Sequence, residues 1–170
     1  MNYTHGYSSP LGGITMASDG QSLTGLWFDG QRYYADTLQE PFREGPLPIF
    51  DEADRWLDLY FSGKVPDFTP KLRLQGTAFR KLVWEALLTI AYGQVVTYGD
   101  LAEEIARRTG RVSMAPRAVG GAVAHNPISL IIPCHRVVGA GGSPTGYAGG
   151  IERKRRLLTL EGVDLSAFPK

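Results

Sequence analysis

Residues 130–138 read Leu-Ile-Ile-Pro-Cys-His-Arg-Val-Val, and they contain the only cysteine of the 170-residue chain. Pro133 fixes its own φ and disfavours helical geometry at the residue before it, so the apolar run ends at a rigid corner. A lone cysteine is most often a small buried hydrophobic residue. A nucleophilic cysteine is the alternative, because His135 supplies a base with a pKa of about 6.5 and Arg136 supplies a permanent positive charge.

These two interpretations differ in what they require of the backbone. Consecutive side chains of a strand point to opposite faces, so His135 reaches Cys134 only where the chain turns. A free thiol is only a few per cent thiolate at neutral pH and needs a neighbouring base to react. The nucleophilic interpretation therefore predicts a turn after Pro133, or a water molecule that bridges the two side chains.

The composition excludes several classes of protein. With 43% hydrophobic and 21% charged residues, the chain is typical of soluble globular proteins. It has no apolar stretch long enough to span a bilayer, and its first residues lack the basic and apolar parts of a signal peptide. We expect no membrane association and a cytoplasmic location, associated with the nucleoid if the organism is a prokaryote. One cysteine and three scattered histidines predict no disulfide, no metal site and no cofactor.

The charge distribution divides the chain into two parts. Residues 1–75 carry six basic and ten acidic side chains, a net charge of −4, whereas residues 76–170 carry twelve basic and seven acidic ones, a net charge of +5. A proline-containing stretch, residues 64–75, predicts the connection. We therefore expect an N-terminal domain over 1–75 and a C-terminal domain over 76–170 that faces an anionic partner.

The first domain is expected to be a small antiparallel β-sheet with one flanking helix. Runs of β-favouring residues between turn residues predict strands at 13–17, 23–28 and 32–35. Apolar residues recur with helical spacing from Ile49 to Phe61, which predicts the helix.

The second domain is expected to be mainly helical. Thr77, Thr97 and Ser113 are candidate N-caps, the last of a helix over 115–124. Arg117 lies in the first turn of that helix, and the small residues behind it favour either close helix packing or close approach to a ligand. Two helices joined by a short loop, the second led by an arginine, suggest a helix-turn-helix.

Two features follow the cysteine. Residues 139–150 are half glycine and predict a mobile loop, since they match no phosphate-binding motif. The last helix carries four basic residues, 153–156, near its N-terminus and Glu161 at its C-terminus, opposite to the order that the helix dipole favours. We expect most of these basic side chains to be solvated and Glu161 to act through the group that it holds.

The sequence resembles the O6-alkylguanine-DNA alkyltransferases over nearly its whole length. Residues 132–137 match the active-site motif of that family. The other matching segments, in the family's order, are 9–12, 76–79, 117–122, 126–127, 145–150 and 160–162. The resemblance implies an α/β (α+β) fold, in which a ribonuclease H-like N-terminal sheet domain precedes a C-terminal domain of winged-helix or helix-turn-helix type.

The resemblance also implies a reaction, direct-reversal DNA repair. The O6-alkyl group of a guanine flipped out of duplex DNA, or the O4-alkyl group of a thymine, moves irreversibly onto Cys134, so each molecule acts once. The implied partner is double-stranded DNA, bound through the minor groove. We expect a monomer and leave open cooperative assembly on DNA.

Roles for individual residues follow from the same resemblance. Cys134 accepts the alkyl group, His135 takes its proton through a water, and Glu161 orients His135. Tyr98 helps to protonate the departing guanine, and Asn126 braces the active-site motif.

The implied DNA contacts centre on Arg117, which enters the base stack in place of the flipped base. The implied DNA-contacting residues are Arg117, Ala118, Gly120, Gly121 and Arg136. The implied pocket for the guanine and its alkyl group is formed by Val123, Ser129, Val137, Tyr147 and Ala148.

Three features depart from the family's pattern. The stretch from Tyr98 to Arg117 is several residues longer than the usual spacing and includes the arginine-rich residues 107–111. Ala148 stands where some members have serine, so a hydrogen bond to O6 must come from the backbone. The first domain lacks the cysteines with which some members bind zinc, so we expect no metal.

Three other functions stay open at this point. They are a non-catalytic binder of alkylated DNA, like the alkyltransferase-like proteins; a DNA-binding regulator with a sensor thiol; and a cysteine hydrolase. The presence of Cys134 argues against the first. No separate regulatory domain is visible in 170 residues, and nothing indicates a pocket for an acyl substrate.

Overall fold

The structure is a computed structural model that describes residues 1–139 and 146–165. Residues 140–145, within the predicted glycine-rich loop, therefore lie outside the described part. The chain divides into two compact units. The first comprises residues 1–75 and 127–129, and the second comprises residues 76–126 and the chain from residue 130 onward. None of the described helices combines the length and the apolar character that a membrane span requires.

The first unit is built on a four-stranded sheet. Its strands are β1 (Asn2–Ser9), β2 (Gly12–Ser18), β3 (Leu23–Phe28) and β4 (Phe42–Glu44). They lie in the order β3-β2-β1-β4, with β1 antiparallel to β2, β2 antiparallel to β3, and β4 parallel to β1. Every residue of β3 is buried, so this strand forms the centre of the apolar core.

The sequence predicted two of the four strands of this sheet. The strands predicted at 13–17 and 23–28 are confirmed as β2 and β3. The strand predicted at 32–35 is wrong: these residues form turns, in which Tyr33 and Ala35 have positive φ angles of 60° and 54°. The Gln31 carbonyl accepts a hydrogen bond from the Tyr34 amide over 3.2 Å at the start of these turns. The Gln31 side chain accepts from the Phe28 amide over 2.8 Å in the turn before them.

Two further segments complete the first unit. Helix α1 (Pro48–Phe61) begins one residue before the predicted start and buries an apolar face that includes Phe50, Ala53 and Leu57. Residues 127–129 pair with β3, because the Leu26 amide donates to the Pro127 carbonyl over 2.9 Å and the Ser129 amide donates to the Leu26 carbonyl over 2.8 Å.

The second unit is mainly helical, as predicted, with one short parallel pair of strands. Its elements are α2 (Ala78–Leu87), β5 (Val96–Thr97), α3 (Tyr98–Thr109), α4 (Pro116–Ala124), β6 (Val137–Val138) and α5 (Ile151–Leu160). The pairing of β5 with β6 matches Val96 to Val137, so the chain that enters α3 is held beside the chain that leaves Cys134.

Side chains cap two of these helices as the sequence predicted. The Thr77 hydroxyl accepts from the Arg80 amide over 3.1 Å, and Thr97 forms a capping box with Asp100. The predicted cap at Ser113 is wrong. Ala115 occupies the N-cap of α4 without a side-chain bond, and Pro116 starts the helix with a φ angle already suited to it.

Candidate active site

Cys134 lies at a sharp corner of the backbone. Residues Cys134–Arg136 form a single 3-10 turn, in which the Arg136 amide donates to the Pro133 carbonyl over 3.0 Å. The turn predicted after Pro133 is therefore confirmed. It removes the alternation of an extended strand, so Cys134 and His135 need not point to opposite faces.

The chain that leads into this corner is buried and strained. Leu130 adopts a left-handed φ of 72°, a conformation that costs a non-glycine residue roughly 1–2 kcal/mol. Asn126 holds the chain just before Pro133, because its side-chain amide donates to the Ile132 carbonyl over 2.7 Å. The packing around the corner therefore stabilises an approach that the backbone alone disfavours.

The carboxylate of Glu161, at the C-terminal end of α5, holds this corner from behind. Its Oε2 accepts from His135 Nε2 over 2.6 Å and from Arg136 Nη2 over 3.2 Å. Its Oε1 accepts from Arg136 Nε over 2.8 Å and from the Gly93 amide over 3.0 Å. Four hydrogen bonds from two segments thus converge on one buried carboxylate.

The charge state of Glu161 fixes the tautomer of His135. Burial by itself raises the pKa of this carboxyl, but the hydrogen bonds from His135 and Arg136 and the charge of Arg136 outweigh it and hold the pKa below its usual range. A carboxylate only accepts, so His135 Nε2 must donate. Burial lowers the pKa of His135, with Glu161 acting in the opposite direction, so the ring is neutral at pH 7 and its basic nitrogen is Nδ1.

Cys134 rests as a thiol rather than as a thiolate. The residue is 3% exposed, and burial raises the pKa of its thiol. A side-chain hydrogen bond from Asn126 and the positive charge of Lys154 act in the opposite direction. The site therefore combines a protonated thiol with the groups that favour its deprotonated form.

Lys154 is the residue of this site that the sequence did not reveal. The sequence led us to expect that most residues of the basic run 153–156 are solvated. Lys154 is instead fully buried, and its ammonium donates to the Val137 carbonyl. Burial lowers its pKa to about 8, with Cys134 acting in the opposite direction, so it keeps its charge at pH 7. The available signal was its spacing from Leu157 and Leu158, with which it shares the buried face of α5.

Two tyrosines, Tyr98 and Tyr147, are linked to the backbone at Gly146, the first by a hydrogen bond and the second as the next residue in the chain. The Tyr98 hydroxyl donates to the Gly146 carbonyl over 3.0 Å. Burial, together with the charge of Cys134, raises the pKa of Tyr98 to about 12, so the phenol keeps its proton at neutral pH. The ring of Tyr147 meets that of His135 edge-on, with 6.4 Å between centroids. A Cβ on Gly149 would lie 2.5 Å from the Tyr147 ring, so a side chain there would displace it.

The surface of α4 is smooth where the sequence predicted DNA contacts. Arg117, Ala118 and Gly121 are exposed, and Gly120 is half-buried. A Cβ on Gly121 would meet nothing within 4 Å, and one on Gly120 would make an ordinary 3.8 Å contact with Tyr98. Close packing between helices therefore does not explain these glycines, and close approach of a ligand remains as the explanation.

Arg136 does not have the position that the sequence predicted for it. It is 8% exposed, and besides its bonds to Glu161 its Nη1 donates to the Ile90 carbonyl over 2.7 Å. A guanidinium committed to buried acceptors is not available to a phosphate, so the predicted DNA contact is wrong. The role that it has instead is to hold Glu161 in place.

The predicted pocket residues are found in different surroundings. Val123 and Val137 are buried, and Tyr147 and Ala148 are half-buried. Ser129 belongs to the first unit, where its hydroxyl donates to Gln31 Oε1 over 3.5 Å. Among residues 1–139 and 146–165, no three histidine, cysteine or acidic side chains cluster as metal ligands.

Comparison with known proteins gives one consistent result. Residues 2–74 match the model of the 6-O-methylguanine DNA methyltransferase, ribonuclease-like domain, and residues 78–163 match that of the corresponding DNA binding domain. The methylated-DNA–protein-cysteine methyltransferase of Mycobacterium tuberculosis (strain H37Rv) is 46% identical over 156 residues, 90% of this chain and 88% of that protein. The protein of the same name from Haemophilus influenzae is 42% identical, over 95% of this chain and 86% of its own.

A solved structure agrees with these relatives. The crystal structure of Mycobacterium tuberculosis OGT in complex with DNA superimposes with a TM-score of 0.82 at 42% identity. The match covers 98% of this chain and 95% of that one.

The Glu161 network generates a prediction about stability. Glu161→Gln leaves the buried Arg136 guanidinium without a counter-charge, so we expect the free energy of unfolding at pH 7 to fall by about 3–5 kcal/mol. Urea denaturation measures this change. Glu152→Gln, which removes an exposed charge from the same helix, should change it by no more than about 0.5 kcal/mol.

The pH dependence of this loss identifies its electrostatic origin. The pKa of Glu161 is lower in the folded protein than in the unfolded chain, where it is about 4.3. The stability that the carboxylate contributes is therefore complete above that pH and is lost as the pH falls below it. The wild type and Glu161→Gln should converge in acid, and a difference that stays constant from neutral pH down to about pH 3 contradicts the assignment.

Proposed function

The chain belongs to the O6-methylguanine DNA methyltransferase family, and we propose that Cys134 is the residue that accepts the alkyl group. The protein is a methylated-DNA–protein-cysteine methyltransferase, and its function is the repair of alkylated DNA by direct reversal. The observation that supports Cys134 best is the 2.6 Å bond between His135 and Glu161 at the turn that carries the thiol. It sets out a nucleophile, a base and an orienting carboxylate in one buried cluster.

The reaction proposed for these residues balances in atoms and charge. The Cys134 thiol gives its proton, through a water, to Nδ1 of His135, and the sulfur attacks the alkyl carbon. A carbon–sulfur bond forms as the bond from that carbon to O6 breaks, and its electron pair goes to guanine. Tyr98 supplies a proton to the departing base, which leaves more readily when neutral. The proton that His135 took from the thiol replaces the one that Tyr98 gave, by way of solvent. The thioether is stable, so each molecule transfers one group.

Lys154 and Asn126 have a supporting role in this scheme. The thiolate is formed in a buried site, where an unpaired negative charge is costly. The charge of Lys154 and the hydrogen bond from Asn126 both favour the charged sulfur. We assign them to the stabilisation of the thiolate and assign Arg136 to the positioning of Glu161.

DNA is the partner of this protein, and the finer description of the complex is part of the proposal. Helices α3 and α4 form the helix-turn-helix, which enters the minor groove with Arg117 and the smooth face of α4. Arg117 is suited to replace the flipped base in the DNA base stack, because it is exposed and has no carboxylate partner among the described residues. We propose a monomer in the cytoplasm, able to assemble cooperatively on DNA.

The base pocket and the division of labour complete the proposal. Tyr147 and Ala148 would contact the flipped guanine, since Tyr147 already lies against His135. Val123 and Val137 are proposed to bound the space for the alkyl group. That group is a methyl group in the simplest substrate, and the proposed substrates include O4-alkylthymine. Residues 76–170 would carry DNA binding and transfer, and residues 1–75 would support them.

The identity of the acceptor is tested by intact mass. After incubation with duplex DNA that contains one O6-methylguanine, the wild type should gain the mass of one CH2 group, and Cys134→Ala should gain none. Binding without any gain of mass identifies a non-catalytic binder of alkylated DNA. More than one methyl group removed per protein molecule identifies a catalyst that turns over, and either result contradicts the proposal.

The role of Arg117 is tested by comparing two substrates. Extrusion of a base costs a few kcal/mol and is needed only in duplex DNA. Arg117→Ala should therefore slow repair of O6-methylguanine in duplex DNA by about tenfold or more, with a much smaller effect on transfer from free O6-benzylguanine. Arg117→Lys, which keeps the charge but loses the planar group, should resemble Arg117→Ala. Equal losses on both substrates would contradict base extrusion.

A further inference from the structure

We propose that the loop between α3 and α4, residues 110–115, is a second contact with duplex DNA, at which Arg111 binds a backbone phosphate away from the damaged base. The inference rests on the proposed function in one respect, that α3 and α4 are the helices placed against DNA. The loop lies in the stretch in which this chain is longer than the family's usual spacing, so it adds a feature that the family's common pattern does not supply.

The first residues of the loop are held in a defined geometry. Gly110 ends α3 in the left-handed conformation, with a φ of 70°. The Gly110 amide donates to the Arg107 carbonyl over 3.3 Å, and the Arg111 amide donates to the Ala106 carbonyl over 2.9 Å. These bonds satisfy the last carbonyls of the helix and place Arg111 directly beyond its final turn.

The loop folds back along α3 instead of extending away from it. Val112 and Met114 line one groove, of about 510 Å³, together with Gly99 at the start of α3 and Arg107 near its end. Eight residues separate those two positions, which corresponds to about 12 Å along the helix axis. The loop and α3 therefore form the two sides of one groove.

This groove is continuous with the proposed DNA-binding surface. Gly99 follows Tyr98 in the chain, and Pro116, which also lines the groove, precedes Arg117. The groove thus reaches the first residues of both helices of the helix-turn-helix. A duplex that contacts those residues is longer than that contact. Its sugar–phosphate backbone can therefore continue along the neighbouring surface of the loop.

The charges of the segment favour a phosphate at Arg111 in particular. Arg107 and Arg108 both donate to Glu104, so their charges are already partly neutralised. Arg111 is exposed, and within residues 1–139 and 146–165 its guanidinium pairs with no carboxylate. Glu103 also lines the groove, and its negative charge repels phosphate. We therefore place the phosphate at the end of the groove formed by Arg111.

The salt dependence of DNA binding tests this contact. Each phosphate neutralised by a cation contributes about −0.9 to the slope of log K against log salt concentration. Kd is measured by fluorescence anisotropy in a Cys134→Ser background, on a duplex of a length that binds one molecule. Arg111→Ala should reduce the magnitude of the slope by about 0.9, so the parent protein loses about 3.5-fold more affinity than this variant between about 50 and 200 mM salt.

Three further variants serve as controls. Arg111→Lys keeps the charge and should keep the slope. Arg55→Ala removes an exposed arginine from α1 and should leave the slope of the parent protein unchanged. Glu103→Gln removes the repelling charge and should strengthen binding at low salt.

Two results would overturn the proposal. One is a slope for Arg111→Ala equal to that of the parent protein. The other is an Arg111→Ala variant that loses affinity only when several protein molecules bind one longer duplex. That result would place the loop between neighbouring copies of the protein. Transfer from free O6-benzylguanine to Cys134 is measured separately in the wild-type protein. Its failure there would count against the proposed function, whatever the slopes show.

Discussion

A single buried carboxylate organises the active site of this protein. Glu161 carries a full negative charge inside the second unit, and such a charge is stable only when it is paired and hydrogen-bonded. His135, Arg136 and the Gly93 amide supply the partners, and they come from two different segments of chain that α5 must meet. The end of α5, the turn at Gly93 and the corner at Cys134 are therefore fixed together.

The chemistry of the site follows from that constraint. The carboxylate makes His135 donate through Nε2, which leaves Nδ1 as the basic nitrogen of the ring. His135 directly follows Cys134 in the chain. Burial keeps Cys134 protonated until a base acts on it, and Lys154 and Asn126 favour the thiolate once it forms. Tyr98 retains its proton because burial raises its pKa to about 12, so it can donate to the leaving base. One buried environment thus keeps Cys134, His135 and Tyr98 in the protonation states that the proposed reaction requires.

Much of this arrangement could be predicted from local sequence or from the family's motifs. The caps at Thr77 and Thr97, strands β2 and β3 and the turn after Pro133 depend on neighbouring residues. The contact of Glu161 with His135 agrees with the family's motifs. Tertiary contacts decided the rest. Strand β1 lies inside the sheet, between β2 and β4, but it is largely polar and shows no apolar alternation. The turns at 32–35 follow Gln31, whose side chain accepts a hydrogen bond from the Phe28 amide. Lys154 and Arg136 look like surface cations in sequence, and only the folded chain shows that they are buried.

The most direct test of the network is the rate of alkyl transfer from free O6-benzylguanine to Cys134 in Glu161→Gln at neutral pH. The free base removes DNA binding from the measurement, and circular dichroism establishes that the variant is folded. A glutamine amide can donate to His135 Nε2 and so favour the tautomer in which Nδ1 is no longer the base. We expect the rate to fall by about a hundredfold or more, within the range that positioned bases contribute. A folded variant that reacts at the rate of the wild type would contradict the role of Glu161.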